Sequence, residues 1–80
     1  MKYQIDQIVF TIQSRAGKIE IGQLLIDHIS KSKISGLIFY AGNMVNDPEN
    51  IPNTLEESLC FPSQEDAIQE ILKQVEELKG

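Results

Sequence analysis

Two segments near the start of the chain have apolar patterns that favour strands. Residues 8–12 form a run of β-branched and aromatic residues, and apolar residues alternate with polar ones over residues 18–21. The four residues 14–17 between them end in glycine, which suits a turn that closes with a left-handed residue. A helix through this stretch would contain two interior glycines, each costing about 1 kcal/mol relative to alanine. The pattern therefore predicts a hairpin that pairs residues 3–13 with residues 18–22.

After Gly22 the spacing of apolar residues changes from two to three and four. Ile21, Leu24, Leu25 and Ile29 fall at helical spacing together with His28. Lys31 and Lys33 follow, where the negative end of a helix dipole favours cations. The spacing predicts a short helix over residues 22–32.

The middle of the chain combines its most apolar segment with its least periodic one. Residues 35–41 contain five consecutive apolar positions without alternation, which predicts a buried central strand. Residues 43–54 then carry four asparagines and two prolines, all turn-forming residues, and predict a long loop. A short fourth strand is expected over residues 58–61.

The last segment has the clearest helical pattern. Ser63 is placed to cap a helix through residue 79, with Asp66 at the third helical position in a short-armed capping box. Glu65 and Asp66 suit its positive end, and Lys79 and Gly80 suit the other end. Its apolar positions form one stripe: Ala67, Ile68, Ile71, Leu72, Val75 and Leu78.

These elements predict one α+β domain over residues 1–80. The expected order is β-β-α-β-β-α, with two helices on one face of a mainly antiparallel sheet. A chain of 80 residues has no room for a second core.

Charge is distributed unevenly between the two parts of the chain. Residues 1–33 have a net charge of +2, whereas residues 34–80 have a net charge of −7, which together give −5. No apolar run approaches the ~20 residues needed to span a bilayer, and no signal peptide is visible. With a single cysteine, a disulfide framework is excluded, and the sequence predicts a cytoplasmic protein without a membrane segment.

The residue types that carry catalysis are few. Cys60 is the only thiol and His28 the only imidazole, and nothing in their positions predicts a dyad. The acids around residues 47–57 lack the alternating pattern and central glycine of a calcium loop. We therefore expect no catalytic residues, no metal site, no cofactor and no enzymatic activity.

The acidic C-terminal part is the strongest functional feature of the sequence. It predicts a small protein that acts by contact with a basic protein, as an inhibitor, an adaptor or an antitoxin-like partner. Few basic residues are present, which argues against direct nucleic-acid binding. The residues expected to contact the partner are Asp47, Glu49, Glu56, Glu57 and Glu70.

Two alternatives remain open on the sequence. Surplus apolar area on Ile21, Ile26 and Ile34, or an exposed sheet edge, could support a homo-oligomer. The 43–54 loop could instead cover a small-ligand site.

Overall fold

The chain folds as a four-stranded antiparallel sheet followed by one α-helix. The computed structural model describes residues 2–45, 47–49 and 51–79. The strands are β1 (Ile8–Arg15), β2 (Lys18–Lys31), β3 (Ile38–Met44) and β4 (Pro52–Glu56), and neighbours in sequence are neighbours in the sheet. A 3₁₀ turn (Glu57–Leu59) leads to helix α1 (Gln64–Lys79). The order β-β-β-β-α corrects the predicted β-β-α-β-β-α, although the α+β class is retained.

The helix predicted over residues 22–32 is wrong, because residues 22–31 belong to the 14-residue strand β2. Leu24 and Ile26 are buried on one face of the strand, while Leu25 on the opposite face is apolar as well. Between Ile26 and His28 the register shifts, so Ile29 pairs with Tyr40 and returns to the inner face. Apolar residues on both faces, together with this bulge, produce a spacing that imitates a helix.

The predicted hairpin forms between β1 and β2, with a tighter turn than the sequence suggested. Arg15 pairs with Lys18, so only Ala16 and Gly17 form the loop. Both have positive φ angles, 52° and 76°, as a type I′ hairpin turn requires. Residues 3–7 precede strand β1, but the Asp6 N–H donates to the Ile26 carbonyl at 2.7 Å and the Ile26 N–H donates to the Gln7 carbonyl at 3.0 Å.

The boundaries predicted in the middle of the chain are also wrong. Strand β3 begins at Ile38 and includes Asn43 and Met44, while β4 begins at Pro52. The connection is therefore residues 45–51, of which Asn46 and Asn50 lie outside the described residues. Pro52 misled the sequence prediction, although proline is accepted at the first residue of an edge strand.

The strand predicted over residues 58–61 is reduced to a single bridge. Residues 57–59 form the 3₁₀ turn, and only Phe61 pairs, with Phe10 of β1. Since β1 and β4 are the two edges of the sheet, a chain that leaves β4 at Glu56 and reaches β1 at Phe61 requires the sheet to curl. The buried core lies inside this curl and contains Tyr3, Val9, Leu24, Ile26, Tyr40 and Cys60.

Helix α1 confirms the predicted C-terminal helix. The N–H of Asp66 donates to the Ser63 hydroxyl at 3.1 Å, and that hydroxyl donates to the Asp66 carboxylate at 2.9 Å. The helix contacts β1 and β2, and Ala67 is fully buried in the contact. None of the helices in the described part of the chain is long and apolar enough to cross a membrane.

Candidate partner-binding surfaces

Asp47 and Glu56, two of the acids predicted to contact a partner, bond to their own neighbourhood. The Asp47 carboxylate accepts the N–H of Glu49 at 3.0 Å and that of Ile51 at 3.3 Å, which fixes the shape of the 45–51 connection. Glu56 accepts the hydroxyl of Ser58 at 2.9 Å. Both side chains are half-buried, so each has a local structural role.

Glu57 belongs to a network that joins the N-terminal segment to the core. The Tyr40 hydroxyl donates to Glu57 Oε2 at 2.5 Å and accepts the N–H groups of Lys2 and Tyr3 at 3.2 and 3.3 Å. The Lys2 N–H also donates to Glu57 at 3.2 Å, and the Tyr3 hydroxyl donates to the Cys60 carbonyl at 3.1 Å. Glu57 therefore anchors residues 2–3 onto strand β3.

The electrostatics of this network follow from its hydrogen bonds and its burial. The Tyr40 hydroxyl, and after it the Lys2 N–H, lower the pKa of Glu57 below its ordinary value of 4.5. Burial, and secondarily the bond to Glu57, raises the pKa of Tyr40. The proton therefore stays on the tyrosine, and the carboxylate stays ionised at neutral pH.

The five predicted acids line three different depressions of the surface. Asp47 and Glu49 line a cleft beside the 45–51 connection, whereas Glu56 and Glu57 line a depression next to Leu37. Glu70 lines a third depression, between α1 and β1. Acids that are close in the sequence thus share a depression, as Asp47 does with Glu49 and Glu56 with Glu57, whereas Glu70 lines a separate one.

Several apolar side chains of α1 are exposed on the surface of the C-terminal part. Its apolar stripe is wider than the side that packs on the sheet, since at 100° per residue Ile68, Leu72 and Val75 lie roughly 80–140° around from Ala67. Leu72 remains 52% exposed, and Ile68 and Val75 are exposed as well. We call Ile68, Leu72 and Val75 the outer stripe of α1.

Acidic residues border this outer stripe on the side that faces away from the sheet. Glu65 and Glu76 lie about 160° and 180° around from Ala67, directly beside Leu72. Both are exposed, as are Asp66 and Glu77. Sequence reasoning identified the stripe but treated it as wholly covered; only the position of the buried Ala67 reveals that part of it is free.

A groove lies along the outer edge of β1. It encloses about 430 Å³, and its walls combine residues of β1, β4, the 3₁₀ turn and α1. The apolar wall residues include Ile12, Leu55, Leu59 and Phe61, while Glu70 and Gln74 of α1 form the polar side. The groove exists because the curled sheet brings its two edges together without joining them.

The cleft beside the 45–51 connection is larger but differs in chemistry. It encloses about 510 Å³ and is lined by the acids Glu20, Asp47 and Glu49, together with the amides of Gln13, Gln23 and Asn53. The side chains of Gln13 and Met44 lie over Gly22 in this cleft. The residues that could make this a small-ligand site are therefore mainly hydrogen-bond acceptors and amides.

The residues considered for catalysis or oligomerisation have the following positions. Cys60 is buried, and burial raises the pKa of its thiol to about 11, while His28 is exposed on β2. No group of three or more metal-ligating side chains comes together within the described residues. Of the surfaces considered for self-association, Ile26 is fully buried, Ile21 is half-buried, and Ile34 is fully exposed.

Comparison with known proteins gives no further guide to function. No family model, no curated protein and no solved structure matches this chain.

Proposed function

We propose that this chain is a small cytoplasmic binding protein that docks a basic protein on the outer stripe of α1. The observation that carries the proposal is the exposed outer stripe bordered by Glu65 and Glu76. An apolar centre with a charged rim is the usual composition of a protein–protein interface. Such a protein would act as an inhibitor, an adaptor or an antitoxin-like partner. The cytoplasmic assignment rests on a single cysteine that remains a free thiol.

Charge favours a basic partner over a second copy of the chain. Each copy carries a net charge of −5, and pairing two outer stripes would bring the acids of both helices together. Like charges placed opposite each other at an interface cost free energy and slow the encounter. A surface rich in lysine and arginine would instead gain from the same acids, both in association rate and in specificity.

The five acids predicted from the sequence are not equally suited to contact a partner. Glu57 is unsuitable for a charge-reversal test, because its replacement would break the network around Tyr40. Asp47 and Glu56 are engaged in local bonds. Glu49 remains a candidate, and so does Glu70, which accepts a hydrogen bond from the Gln74 amide at 3.4 Å.

The proposal is tested with two double variants of equal net charge, one changed on the helix and the other away from it. Glu65→Lys with Glu76→Lys reverses the rim of the outer stripe, and Glu20→Lys with Glu49→Lys makes the same change on the cleft side of the sheet. Both double variants carry a net charge of −1 instead of −5. Proteins retained from a lysate of the native host at low and at 1 M salt are compared, with mass spectrometry of what is bound.

The expected result is a basic protein retained by the parent and by the cleft-side variant, lost from the helix variant, and released at 1 M salt. Surface electrostatics are screened within about 3 Å at that salt concentration. Equal retention by both variants would refute docking on α1. Retention of a basic protein by the helix variant alone would assign the contact to Glu20 or Glu49 instead.

A second pair of variants tests the apolar part of the same surface. Leu72→Ser removes an outer-stripe side chain, while Ile34→Ser removes an equally apolar and fully exposed side chain on a connection far from α1 in sequence. We expect Leu72→Ser to weaken retention of the basic protein at least about tenfold, as truncation of a central interface residue does. Unchanged retention by Leu72→Ser would contradict the proposal.

A further inference from the structure

The outer edge of β1 is only partly used by the fold. The N–H of Phe10 donates to the Phe61 carbonyl at 2.9 Å, and the N–H of Phe61 donates back to Phe10 at 2.7 Å. Along a strand every second residue points its backbone groups to the same side, so Ile12 and Ser14 also point away from β2. Among the described residues, none bonds to these outward-facing backbone groups of Ile12 or Ser14.

Beside this unpaired edge the molecule offers space with the right chemistry for an extended chain. The groove of about 430 Å³ runs next to Ile12 and is walled by Leu55, Leu59 and Phe61. Alternate side chains of an added strand would meet this apolar wall. Glu70 lies on the opposite side of the groove and supplies a negative charge. Phe61 already shows that a strand residue fits against this edge.

We propose that the groove binds an extended peptide segment of another protein, which adds a strand to β1 and places a lysine or arginine beside Glu70. The backbone of the peptide continues the ladder that Phe61 begins, and bonds to Ile12 and Ser14. This surface lies on the side of α1 that carries Glu70 and Gln74, not on the outer stripe. The inference therefore does not depend on the proposed docking of a basic protein on that stripe.

The first test is amide hydrogen exchange, measured by NMR on the full chain without any ligand. The amides of Ile12 and Ser14 are expected to exchange quickly, whereas those of Thr11 and Gln13, which face β2, exchange slowly. Equally slow exchange of both sets would mean that the edge is already paired, which overturns the proposal. Protection of Ile12 and Ser14 that grows with protein concentration would assign the edge to a second copy and would overturn it too.

The second test uses a random library of nine-residue peptides displayed on phage and panned against the full chain. Enriched peptides are expected to alternate apolar residues and to contain a lysine or arginine. Their binding should slow the exchange of the Ile12 and Ser14 amides. A library that yields no enriched peptide, or one whose peptides leave these amides unprotected, would refute the inference.

Variants of the edge separate backbone pairing from side-chain contact. Ile12→Pro removes an N–H that the fold does not use, and should weaken the enriched peptides at least about tenfold. Ile12→Val retains the N–H and serves as the matched control, with an expected change of less than about twofold. Glu70→Gln should weaken the peptides several-fold. Equal binding to Ile12→Pro and Ile12→Val would refute strand addition, while Leu72→Ser should leave peptide binding unchanged.

Discussion

Replacing Gly42 by alanine should damage this fold more than any other exchange of glycine for alanine. Gly42 lies buried on β3, opposite Ile26 of β2 and next to the bulge of that strand. A Cβ atom at this position would overlap the carbonyl oxygen of Leu25 and lie 3.0 Å from the Leu25 carbonyl carbon and 3.2 Å from the Asp27 nitrogen. All three atoms belong to the backbone, so no rotamer change can relieve the overlap.

The expected loss of stability follows from the backbone atoms that must move to accommodate the Cβ atom. Overpacking that displaces backbone costs about 1–3 kcal/mol and occasionally more, and we expect Gly42→Ala to cost about 3 kcal/mol. Against a total stability of roughly 4–12 kcal/mol for a chain of this length, that loss is large. It corresponds to a decrease in Tm of roughly 12–24 °C. Urea denaturation followed by circular dichroism measures the free energy of unfolding of each variant.

Gly22→Ala is the matched control. Its Cβ would lie 2.5 Å from Met44 Cε and 2.6 Å from Gln13 Oε1, but both are the ends of flexible side chains that can move away. The expected loss is less than about 1 kcal/mol, since alanine also reduces the conformational entropy of the unfolded chain. If Gly42→Ala destabilises no more than Gly22→Ala, the close approach of the bulge to β3 is refuted.

Three further predictions concern the turn, the tyrosine network and the buried thiol. Ala16→Asn should raise the free energy of unfolding by about 0.5–1 kcal/mol, because asparagine tolerates the positive φ of this turn; a urea midpoint that does not rise contradicts it. Tyr40→Phe should cost about 1–3 kcal/mol by leaving the Tyr3 N–H without its acceptor. The folded state lowers the pKa of Glu57, so the ionised Glu57 carboxylate stabilises the fold above pH 4.5, and this stabilisation is lost as the pH falls through the lowered pKa. Between pH 6 and pH 3, the urea midpoint should therefore fall less steeply in Tyr40→Phe than in the parent. With a thiol pKa of about 11, Cys60 should react with iodoacetamide at pH 8 at least about 100-fold more slowly in the folded chain than in urea, and equal rates would contradict its burial.

Local signals in the sequence predicted the two ends of the fold and failed in the middle. Ser63, the acids of the first turn and the apolar stripe specify α1 within a few residues, and these interactions are local. Strand β2 could not be recognised because its two faces are both apolar and its bulge shifts the alternation after Ile26. Those features depend on pairing with β1 and β3, which a single segment does not encode.

The candidate surfaces were predicted less well than the elements. The acidic character of the C-terminal part was correctly read from the sequence, but the sequence could not show that Glu57 bonds to Tyr40 or that Asp47 caps its own loop. The outer stripe became visible only when Ala67, rather than Leu72, proved to be the buried centre of α1. The groove beside Ile12 arises from the curl of the sheet and has no local signature.

The central claim is that the outer stripe of α1 contacts a basic protein, and site-specific photo-crosslinking in the native host tests it most directly. A photoreactive phenylalanine analogue is placed at Leu72 on the stripe, or at the fully exposed Ile34 as an apolar control. We expect a crosslinked basic protein from position 72 and not from position 34. The same products at both positions, or only a crosslinked dimer of this chain from position 72, would contradict it.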